Sequence, residues 1–192
     1  MIKKISLIFL SVLMMFSLVS CSSHSDEEII EAAKELIEKS YVINEIYYGK
    51  GLPITDEDSL GFSSNYAVVD PSCGFATVED IKKATAEVYA SDYCEHLYVL
   101  AFEGLSTEDR ESVSYARFMD DYTDKLTMLK EIKETGATLN RTYDFSTIVV
   151  EKCVRNMATI KIQSLVDGKE DKELTINLVY ENDQWKLNTP TY

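Results

Sequence analysis

The hydrophobic period of the chain changes at Arg141, and this change constrains the fold more than any other feature. Before it, apolar residues recur at helical spacing; after it, they alternate with polar residues, which is typical of strands with one buried face. Two polar dipeptides, Arg155-Asn156 and Asn182-Asp183, separate alternating segments and predict hairpin turns. A block of helices followed by an antiparallel meander predicts the α+β class.

The alternation defines four strands. They are predicted at 145–153, Met157–Val166, 174–180 and 185–187, and Asp167-Gly168 is predicted to begin a polar connection between the second and the third. One apolar face of this meander needs a cover because apolar surface is driven out of water.

The first half predicts three helices with recognisable starts. Ser25-Asp26-Glu27-Glu28 and Thr77-Val78-Glu79-Asp80 resemble capping boxes, in which a hydroxyl and a carboxylate satisfy the first free amides. The first helix carries one apolar stripe, which includes Ser40 and ends by Gly49, and a short third helix starts at Ser91. The first helix is the expected cover of the sheet.

Other segments are less regular. Residues 50–65 are predicted to be a loop because they contain glycines, Pro53 and an acidic run, and Tyr66–Val69 is a strand candidate. Residues 115–132 suit either a helix or a hairpin with strands at 115–119 and 125–131, because short apolar runs do not distinguish the two by period.

A curved sheet wrapped on a long helix leaves a mouth on one side, as in NTF2-like and cystatin-like architectures. We therefore expect N-terminal helices packed on a curved antiparallel sheet with a cavity at its mouth. A surplus of tyrosines near these elements supplies candidate contact residues, since tyrosine has an apolar body and a polar tip. The candidate binding residues are Tyr41, Tyr47, Tyr48, Tyr66, Tyr115 and Tyr122, with Arg117 and Arg141 as anion partners.

The N-terminus has the layout of a secretory signal peptide, with Lys3 and Lys4 before an apolar segment at 5–19. Its end, Leu18-Val19-Ser20-Cys21, resembles the lipobox of bacterial lipoproteins. The resemblance implies cleavage before Cys21, a diacylated Cys21 and a protein held on the extracytoplasmic face of the cell membrane. Two acyl chains hold a protein firmly where one does not. The expected organisation is a signal peptide at 1–20, the lipidated cysteine and a spacer at 21–25, and a single α+β domain at 26–192.

The chain is strongly acidic, with 19 basic and 33 acidic residues. Removing a leader that contains Lys3 and Lys4 leaves 17 basic residues and a net charge near −16. This argues against nucleic acid as a partner and against a polybasic contact with anionic lipid. The acidity serves either solubility or attraction to a cationic partner such as a basic cell-wall enzyme.

No constellation of catalytic residues stands out. Cys94 and His96 are two residues apart on a predicted helix, so they diverge and do not form a nucleophile–base pair. Metal-binding spacings and glycine-rich phosphate loops are missing from the sequence, which predicts no metal and no cofactor. Beyond Cys21 there are three cysteines, Cys73, Cys94 and Cys153, which allow at most one disulfide. A pair of carboxylates that hydrolyses glycans leaves no local signature, so a cell-wall hydrolase is the alternative function.

Four segments resemble a known family. The ending at 178–192 is similar to the final hairpin of NTF2-like lipoproteins from Gram-positive bacteria, and Thr77 to Ile81, Ala116-Arg117-Phe118 and Tyr143 to Ile148 agree in order and spacing. This family includes inhibitors of cell-wall DL-endopeptidases. The resemblance implies a strand at Ala116-Arg117-Phe118, which favours the hairpin, and an inhibitor of a cell-wall hydrolase. The lipobox, the order of helices and meander, and the missing catalytic constellations together predict a non-catalytic envelope module that binds a protein or a small ligand. Residues 50–65 have no counterpart in that pattern.

Overall fold

A computed structural model describes residues 24–58, 64–106 and 113–192. The predicted signal peptide and Cys21 lie outside the described residues. Within that part, the protein is mixed α and β, with helices and two four-stranded antiparallel sheets. The α+β class is therefore confirmed. None of the helices in the described ranges is long and apolar enough to cross a membrane.

Helix α1 (Asp26–Tyr47) begins and ends close to the predicted positions. The Ser25 hydroxyl accepts a hydrogen bond from the Glu28 amide at 3.2 Å, which satisfies one free donor of the first turn. The second half of the predicted capping box does not form as expected. The Glu28 carboxylate lies 2.7 Å from His24 Nδ1 and accepts a bond from Trp185 Nε1 at 3.3 Å. The Glu28 carboxylate therefore bonds to His24 and Trp185 and not, as the capping-box pattern predicts, to the amide of the N-cap residue.

The second and third predicted helices also start where the sequence predicts, and a fourth, short helix was not predicted. Helix α2 (Val78–Val88) has the complete capping box, in which Thr77 accepts from the Asp80 amide and Asp80 accepts from the Thr77 amide. Helix α3 (Ser91–Tyr98) runs into a wider turn at Val99–Glu103, and the short α4 spans Ile132–Thr135.

The first sheet has the strand order β1-β2-β6-β5. Its strands are β1 (Ile54–Asp58), β2 (Tyr66–Val69), β5 (Phe118–Asp120) and β6 (Leu126–Leu129). The predicted loop at 50–65 is wrong in part, because β1 lies inside it. Residues far along the sequence neutralise this acidic edge strand, since Glu57 pairs with Lys125 at 2.7 Å and Asp58 pairs with Lys130.

The ambiguous segment at 115–132 forms a hairpin, as the resemblance favours. Strands β5 and β6 pair antiparallel, with Phe118 opposite Met128. Ala116 and Arg117 precede the strand, so the expected strand at Ala116-Arg117-Phe118 starts at its last residue. Two further short strands, β3 (Leu105–Ser106) and β4 (Val113–Ser114), pair with each other.

The second sheet is the predicted meander, in the order β10-β9-β8-β7. Its strands are β7 (Arg141–Val154), β8 (Met157–Val166), β9 (Lys169–Glu181) and β10 (Gln184–Leu187). The polar connection expected after Val166 is instead a two-residue turn, Asp167-Gly168, in which both residues have positive φ. Such turns match the twist of the flanking strands, so β9 starts directly after it.

Helix α1 packs against β7 and β10 and covers the second sheet, as predicted. Ile29, Ala33 and Ile37 of this helix belong to one buried cluster with Ile160 and Ile176 of the sheet. The four strands of the predicted meander thus stay together as one sheet, and the separate sheet of β1, β2, β5 and β6 contributes side chains to the same buried cluster. Residues after β10 then run back along α1, and this return builds the site described next.

Candidate functional site

A cavity of about 340 Å³ lies near the C-terminal end of α1. The helix contributes side chains one turn apart, and the segment after β10 closes the opposite side. The start of β7 and the residues before it complete the wall. The lining residues are Tyr41, Asn44, Glu45, Thr138, Leu139, Asn140, Arg141, Thr142, Val166, Thr191 and Tyr192.

Buried hydrogen bonds centred on Thr191 hold two lining residues of the cavity, Asn44 and Thr191, in place. The Thr191 hydroxyl lies 2.6 Å from Ser40 Oγ and accepts a bond from Asn44 Nδ2 at 2.9 Å. Tyr89 donates to Asn44 Oδ1 at 2.8 Å, and Tyr143 donates to the Thr191 carbonyl at 2.9 Å. Buried polar groups that are fully bonded fix a single arrangement, because any other would leave some of them unpaired. The network therefore holds the returning segment on α1.

Aromatic side chains form the rim. Tyr192 stacks on Tyr48 with ring centroids 4.0 Å apart, and the half-buried Tyr41 lines the wall. Burial, followed by hydrogen bonding to Tyr192, raises the pKa of Tyr48, and burial together with the nearby Glu38 charge raises the pKa of Tyr41. These phenols stay neutral at physiological pH, so the rim offers flat apolar faces and hydroxyl groups.

The two charged side chains of the wall are engaged within the protein. Arg141 Nη1 pairs with the Asp171 carboxylate at 2.8 Å and also bonds Ser164, and Glu45 Oε2 accepts a bond from the Lys50 amide at 3.1 Å. The wall is therefore mainly aromatic, hydroxyl and amide in character. Such a surface suits a neutral polar ligand, such as a sugar or a peptide backbone, better than a free ion.

Two of the predicted binding residues, Tyr41 and Arg141, line the cavity, and a third, Tyr48, stacks on the lining residue Tyr192. Tyr47 is fully buried, with its hydroxyl 2.9 Å from the Thr85 hydroxyl. Arg117 is half-buried and donates to the carbonyls of Ile46 and Gly49, so it closes the C-terminus of α1.

The remaining predicted residues lie by the first sheet. Tyr66 is buried in β2 and donates to the Ala116 carbonyl at 2.6 Å, and burial raises its pKa to about 12. Tyr115 is 54% exposed, and Tyr122, in the turn between β5 and β6, is 79% exposed. Neither lines the cavity.

Sequence reasoning missed Asn44, Thr191 and Tyr192. A signal for the first was present, since Ser40 lies in the apolar stripe of α1 and Asn44 follows one turn later. Polar residues on a buried helix face need partners. No local pattern predicts that Thr191 is the partner of Ser40 and Asn44, because it meets them only where the chain after β10 returns along α1.

A second hollow of about 440 Å³ lies along α1 between Glu28 and Lys39, beside Trp185. Its acidic side chains are Glu28, Glu35, Glu87 and Asp183. A glycosidase requires one carboxyl group whose pKa is raised so that it can donate a proton. In this hollow, hydrogen bonding and charge from Lys39 instead lower the pKa of Glu35.

Burial raises the pKa of Asp120, but this carboxyl group does not line the second hollow. That carboxylate accepts a bond from the Val78 amide at 2.8 Å and so caps α2. Its position at a helix start explains its burial without a catalytic role.

The described ranges contain no group of three or more His, Cys, Asp or Glu side chains arranged to hold a metal ion. Cys73, Cys94 and Cys153 are free thiols, so the one disulfide that these three cysteines allow is not formed. Burial raises the pKa of the Cys94 thiol, which donates to the Tyr89 carbonyl at 3.4 Å. Because the thiolate is the reactive form and a raised pKa disfavours it, Cys94 serves in packing.

The fold and the cavity define a mixed α and β protein with a small, neutral polar site. No protein-family model matches the chain, and no curated protein matches it at the significance required. The similarity to NTF2-like lipoproteins stays a prediction from the sequence.

Proposed function

We propose that this protein is a lipid-anchored, extracytoplasmic binding or accessory module of the bacterial cell envelope. Its domain belongs to the NTF2-like or cystatin-like architectures, and it inhibits or regulates a cell-wall hydrolase by binding it through the cavity. The observation that carries the proposal is the wall of that cavity. Glu45 is the only acidic side chain among its described lining residues, and its carboxylate is engaged by the Lys50 amide.

Binding rather than turnover follows from this chemistry. Hydrolysis of a glycosidic bond uses two carboxyl groups on either side of the bond, whereas stacked tyrosines and neutral donors retain a sugar or peptide segment without cleaving it. The net charge near −16 favours a cationic enzyme as the partner, because charge complementarity speeds encounter.

The proposal is tested by affinity capture from envelope extracts with the purified protein. The wild type should enrich a wall hydrolase and lower its activity on peptidoglycan. Tyr41→Ala should weaken both effects, because it removes an aromatic wall of the cavity. Tyr122→Ala is the matched control, since this tyrosine is exposed and remote from the cavity. The proposal fails if no wall enzyme is enriched, or if both variants behave alike.

The alternative is a hydrolase that acts on wall polymers, for which the second hollow would supply four acidic side chains. Purified protein would then release fragments from peptidoglycan, and either Glu35→Gln or Glu87→Gln would abolish the release. This result would replace the binding proposal.

A further inference from the structure

We propose that the domain stands upright on the membrane, with the start of α1 and Trp185 beside the bilayer and the cavity facing away from it. The cavity then receives a ligand or protein segment from the wall side and not a lipid from the bilayer. This inference rests on the lipid anchor of the proposed function. Three observations carry it: the fixed position of His24, the opposite location of the cavity and the charge of the domain.

His24 is held on the folded domain. Its ring lies 4.2 Å from Tyr180 and 5.0 Å from Trp185, and its Nδ1 lies 2.7 Å from Glu28 Oε1. Only 12% of its side chain is exposed. The polypeptide therefore becomes part of the domain at this residue.

Only Ser22 and Ser23 lie between His24 and the predicted lipid attachment at Cys21, so the chain takes three residue-to-residue steps from one to the other. A fully extended chain covers at most about 3.6 Å per residue, so the acylated sulfur lies within roughly 11 Å of the His24 backbone, apart from the reach of the cysteine side chain. A tether this short keeps the beginning of α1 next to the lipid headgroups.

The cavity lies at the other end of the same helix. Its helical wall starts at Tyr41, whereas Glu28 beside His24 belongs to the first turn. At 1.5 Å per residue these positions are about 20 Å apart along the helix axis. The membrane and the cavity are thus on opposite sides of the domain when the axis of α1 stands away from the membrane surface.

The negative charge of the domain disfavours an orientation in which α1 lies parallel to the membrane surface. With a net charge near −16, the domain is repelled by an anionic bilayer surface. The repulsion decays over about 8 Å at physiological ionic strength, so an upright domain exposes only its anchored end to it. The first turn of α1 already brings Asp26, Glu27 and Glu28 into this range, and a domain lying on its side would add the charges along its length.

The single tryptophan of the chain, Trp185, is a natural reporter of this geometry. The full chain is produced in a bacterial host, purified with its lipid and reconstituted in phosphatidylglycerol-containing vesicles that carry a dansyl headgroup acceptor. We expect efficient energy transfer from Trp185. The double variant Trp185→Phe, Tyr192→Trp moves the donor to the cavity rim and should transfer severalfold less.

Lengthening the tether supplies a test that leaves the domain unchanged. Insertion of ten Gly/Ser residues between Ser23 and His24 should reduce the transfer from Trp185, with an unchanged circular dichroism spectrum. Equal transfer from both donor positions, or no response to the insertion, would overturn the upright orientation for a protein that floats with the vesicles. Absence of acyl chains from the mass spectrum, together with no flotation, would instead refute the anchor itself.

Discussion

Thr191→Val tests whether the buried network holds the returning segment on α1. Valine has nearly the shape of threonine, so the packing is kept and the hydroxyl is lost. Three groups then lose a partner: Ser40 Oγ at 2.6 Å, Asn44 Nδ2 at 2.9 Å and Tyr89 Oη at 3.3 Å. Ser40 still donates to the Ile37 carbonyl and Tyr89 still donates to Asn44, so the main cost falls on the Asn44 amide.

A buried donor without a partner costs about 1–3 kcal/mol. We therefore expect Thr191→Val to lower the free energy of unfolding by about 2 kcal/mol, which corresponds to about 4–8 °C in Tm for a domain of this size. Urea unfolding followed by circular dichroism measures the change. Thr191→Ser is the matched variant, because it keeps the hydroxyl and loses only a methyl group, at about 1 kcal/mol. A loss below about 0.5 kcal/mol for Thr191→Val would show that the network does not stabilise the fold.

Three further predictions address other parts of the structure. Arg117→Met should lower the free energy of unfolding by about 1–3 kcal/mol, because the charged donors to the Ile46 and Gly49 carbonyls are lost; urea midpoints measure this, and full rescue by Arg117→Lys would contradict the two-point contact. Gly136→Ala should cost about 1–3 kcal/mol, since the added Cβ would collide with the carbonyl oxygens of Gly49 and Ile132; an unchanged Tm would refute the close approach of these backbones. Hydrogen bonding and charge from Arg141 lower the pKa of Asp171 in the folded state, so its contribution is present above the unfolded pKa of about 3.9 and is lost as the pH falls through the folded pKa. From about pH 6 to about pH 2, the urea midpoint of the wild type should therefore fall more than the urea midpoint of Asp171→Asn. Parallel pH profiles of the two proteins would exclude this linkage.

The second sheet was predictable because its information is local. Each strand of the meander alternates, and the turns Arg155-Asn156 and Asn182-Asp183 stand where the sequence predicts them. Strand β1 was not predictable in the same way. Its acidic run resembles a loop, and the lysines that pair with Glu57 and Asp58 lie 68 and 72 residues further along the chain. Local composition contains no trace of such partners.

The site divides along the same line. Tyr41, Tyr48 and Arg141 could be proposed because tyrosine and guanidinium groups suit binding surfaces. The same reasoning selected Tyr66 and Arg117, whose polar groups serve backbone carbonyls instead. Composition does not distinguish these uses, since the difference depends on which carbonyl lies within reach.

The bond between Asn44 and Thr191 joins residues 147 positions apart in the chain. Contacts of such long sequence separation form late and slow the folding of a domain, because a large loop must close first. Helix α1 therefore reaches its final position only after residues near 191 have been synthesised. We expect a polypeptide still attached to the ribosome to lack the closed cavity.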